Sequence, residues 1–144
     1  MTIVVGADHG GFQLKESIKQ HLIKKGHTVI DIGTTSEESC DYPDIARAAA
    51  DEKKKKNAEL MMLACGTGIG ISIAANKIEG VYCALVYNEN AARMARLHND
   101  ANCLAFGGRE VTPDAAIRMI DIFLAEKPSA DERHVRRRQK MKAI

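Results

Sequence analysis

Short runs of β-branched and other apolar residues recur along the chain, separated by longer stretches in which apolar positions return every three or four residues. That change of period predicts strands and helices in alternation. The strand candidates are Ile3–Ala7, Thr28–Ile32, Leu60–Ala64, Tyr82–Val86 and Cys103–Phe106. Several are continuously apolar, as strands covered on both faces are. Phe12 to Lys25 carries Leu14, Ile18 and Leu22 at four-residue spacing. Asp44 to Lys56 is rich in alanine, Gly70 to Lys77 is short, and Asn88 opens a segment with Ala91, Met94 and Ala95 on one face. Thr112 to Glu126 starts Thr-Pro, a helix-start signal, and puts Ala116, Met119, Ile120 and Phe123 on one stripe.

Five strands separated by helices imply an α/β fold, a three-layer α/β/α arrangement around a parallel five-stranded sheet. Residues 1–144 then form one domain, with a core over 1–126 and an appendix over 127–144 that follows a Pro128 break as a basic helix. Such Rossmann-like sheets bind ligands at the carboxyl ends of their strands. The residues to inspect are therefore Asp8-His9-Gly10-Gly11, Gly33 to Tyr42, Cys65-Gly66-Thr67-Gly68, Tyr87-Asn88 and Gly107-Gly108-Arg109.

Composition narrows the class. At 144 residues the chain can bury a core without disulfides. A net charge of +2, with three Phe, three Tyr and no Trp, argues against nucleic acid or membrane as the partner. The four cysteines, at 40, 65, 83 and 103, form no Cys-x-x-Cys pair and stand at no metal-ligand spacing to the histidines. No basic leader precedes the first strand, and no apolar run approaches the ~20 residues a membrane span needs. Free thiols in that setting are expected in the cytoplasm.

The most informative stretch is Ala64-Cys65-Gly66-Thr67-Gly68-Ile69-Gly70-Ile71-Ser72, where a strand gives way to a helix. Glycines at 66, 68 and 70 exceed what a turn requires. Alternating glycines let backbone N–H groups converge into an anion nest at a helix amino terminus, and that positive end favours a thiolate at Cys65. The plainer reading is a tight turn beside an inert cysteine. Three familiar anion loops do not fit. Ile71 occupies the third glycine of Gly-x-Gly-x-x-Gly, no Gly-Lys-Ser/Thr follows, and Ile71 also replaces the arginine of a cysteine phosphatase. The loop is better suited to a developing oxyanion than to a nucleotide.

Three further motifs carry polar chemistry. Asp8-His9 at a strand end suits proton transfer or phosphate binding, or Asp8 simply caps a helix. His98 in Leu97-His98-Asn99-Asp100-Ala101-Asn102 either belongs to a site or completes a helix carboxyl end. In the tail, Arg133 and Arg137 are one helical turn apart among His134, Arg136, Arg138, Lys140 and Lys142, as phosphate ligands or as a solvated face.

Together these segments resemble the type B ribose-5-phosphate isomerases and their relatives, the galactose-6-phosphate and allose-6-phosphate isomerases. The resemblance runs from Gly6-Ala7-Asp8-His9-Gly10-Gly11 through Asp41-Tyr42-Pro43-Asp44, Cys65 to Lys77, Ala92-Arg93-Met94, His98 to Asn102 and Phe106-Gly107-Gly108-Arg109 to Arg133-His134-x-x-Arg137. It implies the α/β/α fold, a homodimer or dimer of dimers with active sites at the subunit boundary, and no metal or organic cofactor. The implied reaction interconverts D-ribose 5-phosphate and D-ribulose 5-phosphate through an enediolate, in the non-oxidative pentose phosphate pathway. An isomerase of a six-carbon sugar phosphate is the alternative within the class. A non-catalytic sugar-phosphate sensor is the alternative outside it, although a sensor has no need of Cys65.

Carried over by motif, Cys65 is the base between C2 and C1, and Thr67 with the amides of Gly66, Gly68 and Gly70 holds the enediolate. Asp8 and His98 open the sugar ring, Asn99 binds the sugar and Tyr42 lines the site. His9, Arg109, Arg133 and Arg137 bind the phosphate, with His98, Asn99 and Arg109 supplied by the neighbouring subunit. One departure stands out: Asp131-Glu132 replaces the Gly-Gly that the family usually has before the Arg-His of the tail.

Overall fold

The computed structural model describes residues 1–144. The elements are β1 (Thr2–Ala7), α1 (Phe12–Lys24), β2 (Thr28–Asp31), α2 (Tyr42–Lys55), β3 (Leu60–Cys65), α3 (Ile69–Asn76), β4 (Cys83–Leu85), α4 (Glu89–Leu97), β5 (Cys103–Gly107), α5 (Pro113–Ala125) and α6 (Glu132–Lys142). The sheet is parallel throughout, in the order β2-β1-β3-β5-β4. The elements follow the hydrophobic pattern closely, and Asn88 and Thr112 cap α4 and α5 through their side chains. Two expectations shift. Helix α2 starts at Tyr42 because Pro43 is accommodated in its first turn. In α4 the buried pair is Ala92 and Ala95 rather than a stripe through Met94.

Alternation along each strand divides the core in two. Ile3, Val5, Leu60, Met62, Leu104 and Phe106 pack on one face against α1, α4 and α5. Val4, Met61, Leu63, Cys65, Cys103 and Ala105 pack on the other against α2 and α3. The chain moves one way across the sheet through α1 and α4 and the opposite way through α2 and α3. A constant crossover hand therefore puts these pairs on opposite faces. The direction reverses between β1 and β3, which opens a crevice where their carboxyl ends lead into loops.

The sheet edges have their own chemistry. On β4 the Asn76 side chain donates to the Cys83 carbonyl and accepts from the Cys83 N–H, both at 2.8 Å, and so takes the place of a missing strand. Beside β2, Lys15 is 1% exposed, with its ammonium 2.8 and 2.9 Å from the two Asp31 carboxylate oxygens. Lys19 reaches the same carboxylate at 2.8 Å.

Helix α6 docks at the amino ends of the strands. Arg138 donates to the carbonyls of His98 (3.2 Å) and Ser129 (2.8 Å), and the Ser129 N–H donates to the Leu97 carbonyl at 2.7 Å. Met141 and Tyr82 line a small cavity with Asn99 and Ala101.

Candidate active site

Adjacent strands bring the loops after β1, β3 and β5 together. Ala7 pairs with Ala64 and Cys65 with Gly107, so Asp8, Gly66 and Gly108 emerge side by side. The Asp8 N–H donates to the Ala64 carbonyl (3.2 Å), and Gly108 and Arg109 N–H groups donate to the carbonyls of Cys65 (2.8 Å) and Gly66 (3.0 Å). The loops touch so closely that a Cβ on Gly10 would lie 2.8 Å from the Gly66 nitrogen.

Cys65 is the last residue of β3, 4% exposed, and its sulfur accepts the Gly68 N–H at 3.2 Å. That bond fixes the sulfur at the mouth of the glycine loop. Gly68 has φ +81°, and a side chain there would strike Leu85 and the Phe106 backbone, so the nest requires glycine at this position. Thr67 is exposed, and its hydroxyl accepts the Ile69 N–H at 3.2 Å. Tyr42 lies with its ring over Gly70.

Asp8 is buried, and one of its carboxylate oxygens accepts the N–H groups of Gly10 (2.9 Å) and Gly11 (3.2 Å). It therefore shapes its own loop rather than capping α1, whose N-cap is Gly11. Only that one oxygen is engaged. His9 accepts the Cys40 N–H on Nδ1 at 3.2 Å. A ring nitrogen that accepts carries no proton, which leaves Nε2 as the donor toward a ligand.

Arg109, grouped in the sequence reading with residues of a neighbouring subunit, lies in its own chain beside Gly66 and Gly10. Its position directly after β5 accounts for this. His9, Cys65, Thr67 and Arg109 thus share the carboxyl end of the sheet. His98 and Asn99 do not. Helix α4 runs antiparallel to the strands, so its C-cap, His98, stands at their amino end, and α6 with Arg133 and Arg137 docks there too. At roughly 3.3 Å per residue, β3 puts about 20 Å between the two ends. Arg133 and Arg137 are exposed, and Arg133 pairs with Asp131 at 3.2 Å.

Two contacts had no signal in the sequence. The Tyr87 hydroxyl donates to the Thr67 carbonyl and fixes the middle of the glycine loop. Only its place just after β4 marked it for inspection. His134 stacks on His98, a pairing that no local spacing announces. A concavity of about 600 Å³ lies away from all of this and is lined by Arg47, Asp51, Lys53 and Glu79. Its mixed charges and lack of a nucleophile make it an ordinary surface groove.

An open parallel sheet with a glycine nest, a buried thiol and an imidazole at one switch point defines an α/β enzyme that handles small anionic substrates. Residues 3–141 match the Ribose/Galactose Isomerase family, and the chain belongs to it. A ribose-5-phosphate isomerase B of Escherichia coli is 41% identical over 142 residues, covering 99% of this chain and 95% of that protein. The structure of ribose-5-phosphate isomerase B from Clostridium thermocellum superposes with a TM-score of 0.95 at 44% identity, covering 99% of this chain and 96% of the other. A Mycoplasma genitalium ribose-5-phosphate isomerase B, determined with bound ribulose-5-phosphate, gives a TM-score of 0.92 at 40% identity, covering 99% and 94%.

Proposed function

We propose that this chain is a ribose-5-phosphate isomerase that interconverts D-ribose 5-phosphate and D-ribulose 5-phosphate through an enediolate. The observation that carries the reading is the Cys65 sulfur, buried at the switch point and held by an amide of the nest. A base and an oxyanion cradle are thereby joined in one loop. The E. coli, C. thermocellum and M. genitalium relatives point to the five-carbon substrate.

The cyclic aldose must open first. Asp8 and His98 move a proton from the anomeric hydroxyl to the ring oxygen. The Cys65 thiolate then takes the proton from C2, and the electron pair passes to the carbonyl oxygen at C1. Amides of Gly66, Gly68 and Gly70, with Thr67, meet the charge that develops on the enediolate oxygens. Cys65 returns its proton to C1 as the O2 proton passes to O1, giving the ketose. Asn99 binds sugar hydroxyls and Tyr42 walls the site. His9, through Nε2, joins Arg109, Arg133 and Arg137 on the phosphate, whose binding energy aligns C1 and C2 with the sulfur.

The separation of Cys65 from His98 supports a homodimer as the working unit, in which a second copy brings its His98, Asn99, Arg133 and Arg137 to the Cys65 end. Ile69 and Ile73, 48% and 59% exposed and one turn apart on α3, offer apolar surface beside the nest for such a copy. No helix is long and apolar enough to cross a membrane. The cytoplasm, where four free thiols stay reduced, is the proposed place of work.

Turnover of ribose 5-phosphate, allose 6-phosphate, galactose 6-phosphate and unphosphorylated ribose by the purified protein tests the reading. Ribose 5-phosphate should have the highest kcat/KM. Cys65→Ala should still bind it while isomerisation falls by ~10²–10⁴-fold. Undiminished turnover in that variant would remove Cys65 from the mechanism, and a preference for a hexose phosphate would overturn the substrate assignment.

A further inference from the structure

His98 closes α4, and no following helical turn supports its ring. Helix α6 supplies that support from two directions. The His134 ring stacks on the His98 ring with centroids 4.1 Å apart and planes 10° from parallel. Arg138, one turn further along α6, holds the His98 carbonyl at 3.2 Å. His134 is the one buried residue of α6, at 8% exposure. None of the steps above uses it, and its ring makes no hydrogen bond or ion pair within the chain beside the stack on His98.

We propose that His134 is a positioning residue for ring opening: its flat face, stacked on the His98 ring, fixes the plane of the His98 imidazole. The inference rests on the reading of His98 as a ring-opening group. Rotation about two side-chain bonds would otherwise swing the His98 ring nitrogens away from the sugar, and a flat neighbour removes most of that freedom.

The surroundings of the stacked pair favour a neutral ring at His134. Burial holds the His134 pKa below its ordinary value, the charges of His98, Arg133 and Arg137 push in the same direction, and Asp131 opposes them. Arg138, on the His98 carbonyl, adds a third arginine beside the pair.

The test exploits a difference between the two sugars. Ribulose 5-phosphate has its C5 oxygen esterified and closes no furanose ring, so turnover that starts from it needs no ring opening. Wild type, His98→Ala, His134→Leu and His134→Phe should be assayed in both directions, with circular dichroism to confirm that α6 stays folded. Leucine fills the buried space without a flat face, and phenylalanine keeps the face without a proton. His134→Leu should lower kcat from ribose 5-phosphate roughly ten-fold, part of the ~10²–10⁴ that acid–base groups supply. Its kcat from ribulose 5-phosphate should change less than about two-fold, and His134→Phe should restore most of the loss. Equal losses in both directions, or a phenylalanine variant no better than leucine, would overturn the positioning role. If His98→Ala itself shows no directional difference, the assignment of His98 fails, and the inference fails with it. A split in His98→Ala that is absent from His134→Leu overturns the inference alone.

Discussion

Cys65 and Cys103 lie on the same face of the same sheet, yet their surroundings make different chemistry of them. Cys103 is enclosed, and burial, with Cys83 beside it, pushes its thiol well above the ordinary range, so it stays protonated and inert. Cys65 sits at a strand end with an amide aimed at its sulfur. Position along the strand separates a core residue from the proposed base, and the sequence made this legible through the glycines that follow only one of the two. Lys15 was harder to read. A lysine beside the Leu14, Ile18, Leu22 stripe looks like a solvated flank, and only the long-range arrival of Asp31 explains its burial. Burial pushes the Asp31 pKa up, but bonds from Lys15, Lys19 and the Gly33 N–H outweigh it, leaving the carboxyl below its ordinary 3.8. A carboxylate depressed in this way stabilises the fold above its unfolded value, and the contribution is lost as pH falls through the lower folded value. Asp31→Asn should therefore cost about 2 kcal/mol at pH 7. That is less than the ~3–5 expected when a buried charge loses its whole partner set, because Glu16 remains 3.1 Å from Lys15. In urea titrations the gap between variant and wild type should shrink below about pH 4. A gap independent of pH would mean that the loss comes from packing rather than charge.

At the scale of elements, α6 shows what a residue pattern can and cannot announce. The basic run predicted a helix, and a helix is present. Which arginines face outward depends on what the helix packs against, and that is a tertiary fact. His134, Arg138 and Met141 recur at helical spacing on the docked side, while Arg133, Arg136 and Arg137 point away. Arg138 is committed to two carbonyls and Arg137 to none of the chain's own groups. The two variants should part accordingly. Arg137→Ala should weaken binding of ribose 5-phosphate by roughly ten- to a hundred-fold, the worth of one charge-assisted contact, without lowering the melting temperature. Arg138→Ala should lower the melting temperature as well, since two carbonyls lose their donor. Calorimetric titration beside thermal melts distinguishes the cases, and equal melting shifts in both would place Arg137 in the docked face. The strands and the remaining helices were legible because period and capping residues are local. The order β2-β1-β3-β5-β4 was not, since nothing within β5 says that it inserts between β3 and β4.

For the whole molecule the decisive feature is that the proposed acid–base groups stand at opposite ends of one sheet. Cys65→Ala and His98→Ala should each be nearly inactive alone. In a mixed two-fold dimer one site inherits both lesions and the other neither. Random reassortment makes about half the dimers mixed, so co-refolding the two variants should return roughly a quarter of wild-type activity. No recovery, with subunit exchange confirmed by a mass tag, would place both groups in one chain's site. Such an assembly must form through helices while the sheet itself stays closed to other chains, and here the side chain of Asn76 has a further consequence. By occupying both backbone groups of Cys83, it denies a passing strand the first rung of a ladder on the three-residue edge β4. The proposed pairing of copies needs a selective encounter, and this amide disfavours the competing one, strand against strand along β4.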